Sequence, residues 1–113
     1  MTNERTNENR AYCESIREEI ENIYNGTATT EDGEQISIYD YICNDVLDYE
    51  TTHNSAGDMI GCRLYVTLGG PNVWIDTRNA EIALAWGTDR ESVWLPSELC
   101  EMIDDAMTEI IAH

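Results

Sequence analysis

The sequence predicts an α+β fold: a three-stranded antiparallel β-meander packed with two N-terminal helices and one C-terminal helix. Three observations predict it. Apolar residues in the first half recur at the helical period of about 3.6. Between Cys62 and Trp86 the period drops to two, and after Pro96-Ser97 it returns to about 3.6. The 113 residues fit one domain over 1–113, long enough to bury roughly two thirds of the surface that the unfolded chain exposes.

The elements follow in order. Residues 1–6 are polar and are expected to fray. From Asn7 to Tyr24, the positions Cys13, Ile16, Ile20 and Ile23 lie on one helical stripe, and Asn25-Gly26 supplies a C-terminal stop. Thr27 to Gln35 is a polar loop. Ser37 with Asp40 three residues later predicts a capped second helix, its apolar side being Ile38, Tyr41, Ile42, Val46 and Tyr49. Thr51 to Asp58 is again polar and is expected as a loop.

Cys62, Leu64, Val66 and Leu68 then alternate with more polar neighbours, which predicts a half-buried strand over 62–68. Gly69-Gly70-Pro71-Asn72 makes a turn, and Val73, Ile75 and Thr77 alternate with Trp74 and Asp76 in a second strand over 72–77. Ile82, Leu84 and Trp86 predict a third strand over 81–86, with Trp86 in the core. Gly87 to Arg90 reads as a loop, and Val93-Trp94-Leu95 as a short extended piece. Pro96 opens the last helix with Ser97 as its cap, and Leu99, Ile103, Met107 and Ile110 form its buried stripe.

Charge is the unusual feature. There are 23 acidic residues against 6 basic ones, all arginine, for a formal charge of −17. Solubility asks only for about 2 to 8 charges in a small domain. A field of this sign repels nucleic acid and anionic membranes and attracts basic partners. The polar start of the chain and the lack of any apolar run near 18 residues predict no signal peptide and no membrane span, and hence a cytoplasmic protein. The cysteines Cys13, Cys43, Cys62 and Cys100 have no metal-ligand spacing and read as free thiols in a reducing compartment.

No catalytic motif stands out. Histidine, the usual general base, occurs only at His53 and His113. His53 lies near Asp48, Glu50 and Asp58, which would hold a cation, but the spacing fits no ligand rule. Glu31-Asp32-Gly33-Glu34 hints at calcium yet lacks the alternating ligands of an EF-hand loop. Gly69-Gly70 is no phosphate loop, because no lysine follows it. The expectation is no enzyme, no cofactor and no metal. Trp74 falls on the face opposite Val73 and Ile75 and, if exposed, is a partner contact.

The arrangement of the acids says more than their number. Between Arg17 and Arg63 there is no arginine but eleven acids, and after Arg90 six acids and no arginine. Glu14, Glu18 and Glu21 share one face of the first helix. Glu98, Glu101, Asp105 and Glu109 share one face of the last. Like charges at steps of 3 and 4 each cost a few tenths of a kcal/mol, so a helix built for stability alone would interleave cations. Their spacing of roughly 5–6 Å is near that of phosphates along a nucleic-acid strand. The first expectation is therefore a non-enzymatic binding protein whose acidic face meets a basic, nucleic-acid-binding protein. The alternatives are an interaction or assembly module with its contacts around Trp74, and a small enzyme or calcium binder.

The stretch Leu68-Gly69-Gly70-Pro71-Asn72-Val73-Trp74-Ile75-Asp76-Thr77, with Trp86-Gly87-Thr88-Asp89-Arg90 and Trp94-Leu95-Pro96-Ser97-Glu98, resembles short acidic proteins of plasmids, integrative conjugative elements and phages of gut bacteria. Ala11-Tyr12-Cys13-Glu14-Ser15-Ile16 and Glu31-Asp32-Gly33-Glu34-Gln35 fit the same resemblance. It implies a mobile-element setting. Such elements carry small acidic anti-restriction and anti-CRISPR proteins, some of them DNA mimics, which this chain resembles in size and charge.

Overall fold

A computed structural model describes the backbone of residues 2–112 and the side chains of 6–112. The elements are α1 (Thr2–Asn25), α2 (Ile38–Asp45), β1 (Asp48–His53), β2 (Met59–Thr67), β3 (Asn72–Asp76), β4 (Glu81–Trp86), β5 (Asp89–Trp94) and α3 (Ser97–Ile111). The strands form one antiparallel sheet in chain order. The α+β class and the antiparallel meander stand, but the sheet has five strands where the periodicity predicts three. α1 packs on β4 and β5, α3 packs on β2, and α2 closes against both helices.

Register explains the core. Leu64, Ile75, Ile82 and Val93 are direct cross-strand partners on β2, β3, β4 and β5, so they share one face of the sheet. All four are buried in one cluster with Cys13, Ile16 and Ile20 of α1, Tyr41 and Ile42 of α2, and Leu99, Ile103 and Met107 of α3. The partners one position along lie on the opposite face and stay outside that cluster.

The first helix starts at Thr2, so residues 2–6 are helical and not frayed; Met1 and His113 lie outside the described residues. Its buried stripe extends one turn beyond the apolar pattern through Asn9, and Arg10 binds Glu91 of β5 at 3.1 Å. Gly26 ends the helix with φ +77°, a left-handed value that glycine adopts without a Cβ penalty. The capping box of α2 forms in both directions: Asp40 N–H donates to Ser37 Oγ at 3.1 Å, and Ser37 N–H donates to Asp40 Oδ2 at 3.0 Å. In α3 the expected cap is shifted by one. Ser97 is the first helical residue, Pro96 holds the N-cap position, and no side chain caps the helix.

Four expectations near strand ends need correction. α2 stops at Asp45 because Val46 is extended, and Leu47 N–H then donates to the Tyr65 carbonyl at 2.8 Å. Tyr49 and Thr51 to His53 therefore belong to β1, not to a helix and a loop. Asp89 to Trp94 form a fifth strand in place of a loop and a short extension. β3 ends at Asp76, whose carboxylate accepts from both nitrogens of Asn79 at 2.9 Å and turns the chain before Thr77. A register shift between Tyr65 and Thr67 breaks the alternation of β2, leaving Leu68 in the turn and 52% exposed. Among the described residues no helix is long and apolar enough to cross a membrane.

Leu64 and Leu68 thus have opposite roles despite equal places in the sequence pattern. Leu64→Ala is expected to cost about 3 kcal/mol, as for a fully buried leucine, and Leu68→Ala less than about 0.5 kcal/mol, as for a surface change. Urea denaturation of both variants checks this.

Candidate partner-binding site

The two carboxylate rows differ once their surroundings are seen. On α1, Arg17 sits between Glu14 and Glu21, with ion-pair distances of 3.7 and 3.6 Å. Arg17 Nη1 also donates to the Trp94 carbonyl at 3.1 Å, covering an outward group of the edge strand β5. Two of the three acids on this face are thereby partly neutralised, and Glu18 remains exposed.

The α3 row has no such compensation among the described residues. Glu98, Glu101, Asp105 and Glu109 are all exposed, and among the described residues no cation lies within ion-pair distance of them. Burial of Leu99, Ile103 and Met107 on the sheet turns this row outward. Glu98, Glu101 and Asp105 line a groove of about 420 Å³ between α1, α2 and α3, whose walls also include Tyr24, Tyr39 and Met102. Tyr39 Oη donates to Glu109 Oε2 at 2.5 Å, and this bond to a carboxylate raises the phenol's pKa. None of the α1 acids lines that groove.

Trp74 is not a free contact. It lies on the helix-free face, half-buried, with the Arg63 guanidinium carbon 5.2 Å from the ring centroid and the Tyr65 ring at 6.2 Å. Arg63 in turn binds the buried Asp76 at 3.2 Å. The indole Nε1 of Trp74 is buried and has no hydrogen-bond partner. Trp86, expected in the core, is 48% exposed; it is the last residue of β4, where the chain turns into β5. Trp94 is the most exposed tryptophan, at 66%. The sequence pattern does not mark its exposure, because its neighbours Val93 and Leu95 are apolar and hide the alternation.

The remaining chemistry is quiet. Burial pushes the thiols of Cys13 and Cys100 up to about 11 and that of Cys62 to about 12. These thiols stay protonated at neutral pH and make poor nucleophiles. His53 is held inside its own hairpin, its ring nitrogens 3.0 Å from Thr51 Oγ1 and 3.2 Å from the Gly57 carbonyl. Glu31, Asp32 and Glu34 are exposed, and the turn is closed by main-chain bonds between Thr30 and Gly33 and between Thr30 and Glu34. Among the described residues no three or more His, Cys, Asp or Glu side chains are placed to hold a metal ion.

The chain matches no protein-family model, no curated protein and no solved structure. The reading of its surfaces rests on their geometry.

One pair of acids is strained outside both rows. Glu19 of α1 and Asp45 of α2 face the same groove beside Tyr41. Partial burial first, and the Asp45 charge second, raise the Glu19 carboxyl above the usual range. A raised carboxyl destabilises the fold when ionised, and that penalty lifts as pH falls through the raised pKa. The melting temperature is therefore expected to rise from pH 7.5 to about pH 5. Glu19→Gln should raise it at pH 7.5 and reduce the gain on acidification. Thermal melts of both proteins across this range are the measurement, and a fall on mild acidification contradicts the assignment.

Proposed function

We propose that this chain is a non-enzymatic acidic binding protein whose α3 face docks on a basic, nucleic-acid-binding protein and competes with nucleic acid for it. The observation that carries this reading is the row Glu98, Glu101, Asp105 and Glu109, exposed and without a cation among the described residues. Phosphate-binding sites are built from lysine and arginine and lose affinity steeply with salt. Carboxylates repeated at helical spacing would meet the same side chains and inherit that dependence. The α1 row contributes less, since Arg17 already occupies Glu14 and Glu21. The mobile-element resemblance belongs to the same proposal: a restriction or other defence protein would be a fitting target.

The second reading, a protein-interaction module without mimicry, draws support from Trp94 instead of Trp74. Salt separates the two, because charge-driven binding weakens as ions are added and apolar binding hardly changes.

The direct test replaces Glu98, Glu101 and Glu109 by Gln and Asp105 by Asn. Glu and Gln have similar helix propensity, so α3 should persist. Immobilised wild-type protein should retain DNA- or RNA-binding proteins from a bacterial lysate, release them to excess duplex DNA or RNA, and lose them at high salt. The neutralised protein should bind the identified target at least about tenfold more weakly, as for loss of several charged contacts. Its melting temperature should rise, because like-charge repulsion along the helix is relieved. Unchanged affinity in the neutralised protein removes the mimic reading.

A further inference from the structure

We infer that the helix-free face of the sheet is a self-complementary surface on which two copies of this chain pair. Cross-strand register places its residues. Tyr65, Trp74, Ala83 and Ser92 form one row across β2 to β5. Glu50, Arg63, Asp76, Glu81 and Trp94 form the next, and Asn72, Ala85 and Arg90 a third. Arg78 also belongs here: its side chain lies over Gly61, where a Cβ would stand 2.1 Å from Arg78 Cγ. Glycine at this position is what lets the arginine lie flat on the strand.

Two features set this face apart. The first is charge. It carries Arg63, Arg78 and Arg90, half of the six arginines, against Asp48, Glu50, Asp76 and Glu81 of the 23 acids. It is close to neutral in a chain of −17, so it is where a second copy meets the least repulsion. Arg78 and Arg90 have no carboxylate partner among the described residues, although acids outnumber them heavily. Arginine is the residue best suited to ion pairs across an interface. The second feature is shape. Arg63, Trp74, Glu81, Ala83, Arg90 and Ser92 line a shallow groove of about 530 Å³. Trp94, on the same face, stands out beside it. Knob and hollow on one surface suit a two-fold contact, in which each copy offers both halves. Trp94 of one copy fills the hollow over Ala83 of the other, and Arg90 and Arg78 reach acids across the junction.

Size sets the strength. Five strands at about 4.8 Å spacing and about six residues at 3.4 Å rise give roughly 500 Å² on each copy. A total near 1,000 Å² is at the lower limit for a specific contact. The dimer is therefore expected to be weak and transient, with a dissociation constant on the order of 10 μM or above. Salt should strengthen it by screening the repulsion between two strongly acidic bodies. That sign is opposite to the one expected for a basic partner on α3, so the two proposals fail separately.

Sedimentation equilibrium of the purified chain between 5 and 500 μM, at 25 and 300 mM NaCl, tests this (concentrations on the order set by the interface size). The expected result is a monomer–dimer equilibrium that tightens at higher salt. Trp94→Ser and Ser92→Arg, both at exposed positions, should each weaken it at least tenfold, by about 1.4 kcal/mol. Leu47→Ser, exposed away from this face, should leave it unchanged, and the neutralised α3 variant should tighten it slightly, because it removes four repelling charges from each copy. A monomer under all conditions overturns the inference. So does a dimer indifferent to Trp94→Ser and Ser92→Arg, or one lost on neutralising α3.

Discussion

The hydrogen bond from Thr77 Oγ1 to Asp104 Oδ1, 2.7 Å long, is the contact on which the arrangement of this protein turns. It joins the end of the β2–β3 ladder to the middle of α3. Thr77 Oγ1 in turn accepts from the Cys62 amide at 2.9 Å, and the Cys62 thiol lies 3.6 Å from the same carboxylate oxygen. Leu99, Ile103 and Met107 already direct one side of α3 to the sheet, but apolar packing of about the right size specifies a single arrangement less strictly than it specifies stability. A partly buried, charge-assisted bond has a preferred direction and removes that freedom. Once Asp104 is held, Glu98, Glu101, Asp105 and Glu109 point away from the sheet. The outward acidic row is set by the buried stripe of α3 and held in place by this bond.

The same one-sided construction divides the charge. Helices cover only the Leu64–Ile75–Ile82–Val93 face, and most acids ride on those helices and on the loops beside them. The opposite face keeps half of the arginines and two of the three tryptophans, Trp74 and Trp94. There Arg63 lies over Trp74 and is itself fixed by Asp76, so aromatic and cation cover each other. The edge strands are guarded by different means. Arg17 and Arg10 of α1 reach β5, while β1 carries Asp48 and Glu50 and an irregular register at Thr52/His53, which discourage further pairing.

What could be read from the residues follows burial. Both long helices, the α2 capping box and the three central strands were legible because each has a buried side that imposes a period. β1 was not, since five of its six residues are exposed and a strand with no buried face shows no alternation. β5 was hidden for the opposite reason: Val93, Trp94 and Leu95 are all apolar, yet only Val93 and Leu95 face the core. Leu68 and Trp86 fit their strand patterns but fall at strand ends, Leu68 after a register shift and Trp86 beside the β4–β5 turn, and both stay half-exposed. The α3 row was legible from spacing, and its lack of a cation among the described residues was not, because that depends on where Arg17 and Arg10 reach. The grouping of Arg63, Arg78 and Arg90 needed the strand register, which single-strand periodicity does not contain.

A double-mutant cycle on Thr77→Val and Asp104→Ala tests the anchoring of α3 most directly. Unfolding free energies of the wild type, both single variants and the double variant isolate the pair from its neighbours. The account predicts a coupling of about 1–2 kcal/mol, as for a partly buried hydrogen bond to a charged group. A coupling below about 0.3 kcal/mol, the usual limit of additivity for independent sites, would contradict it.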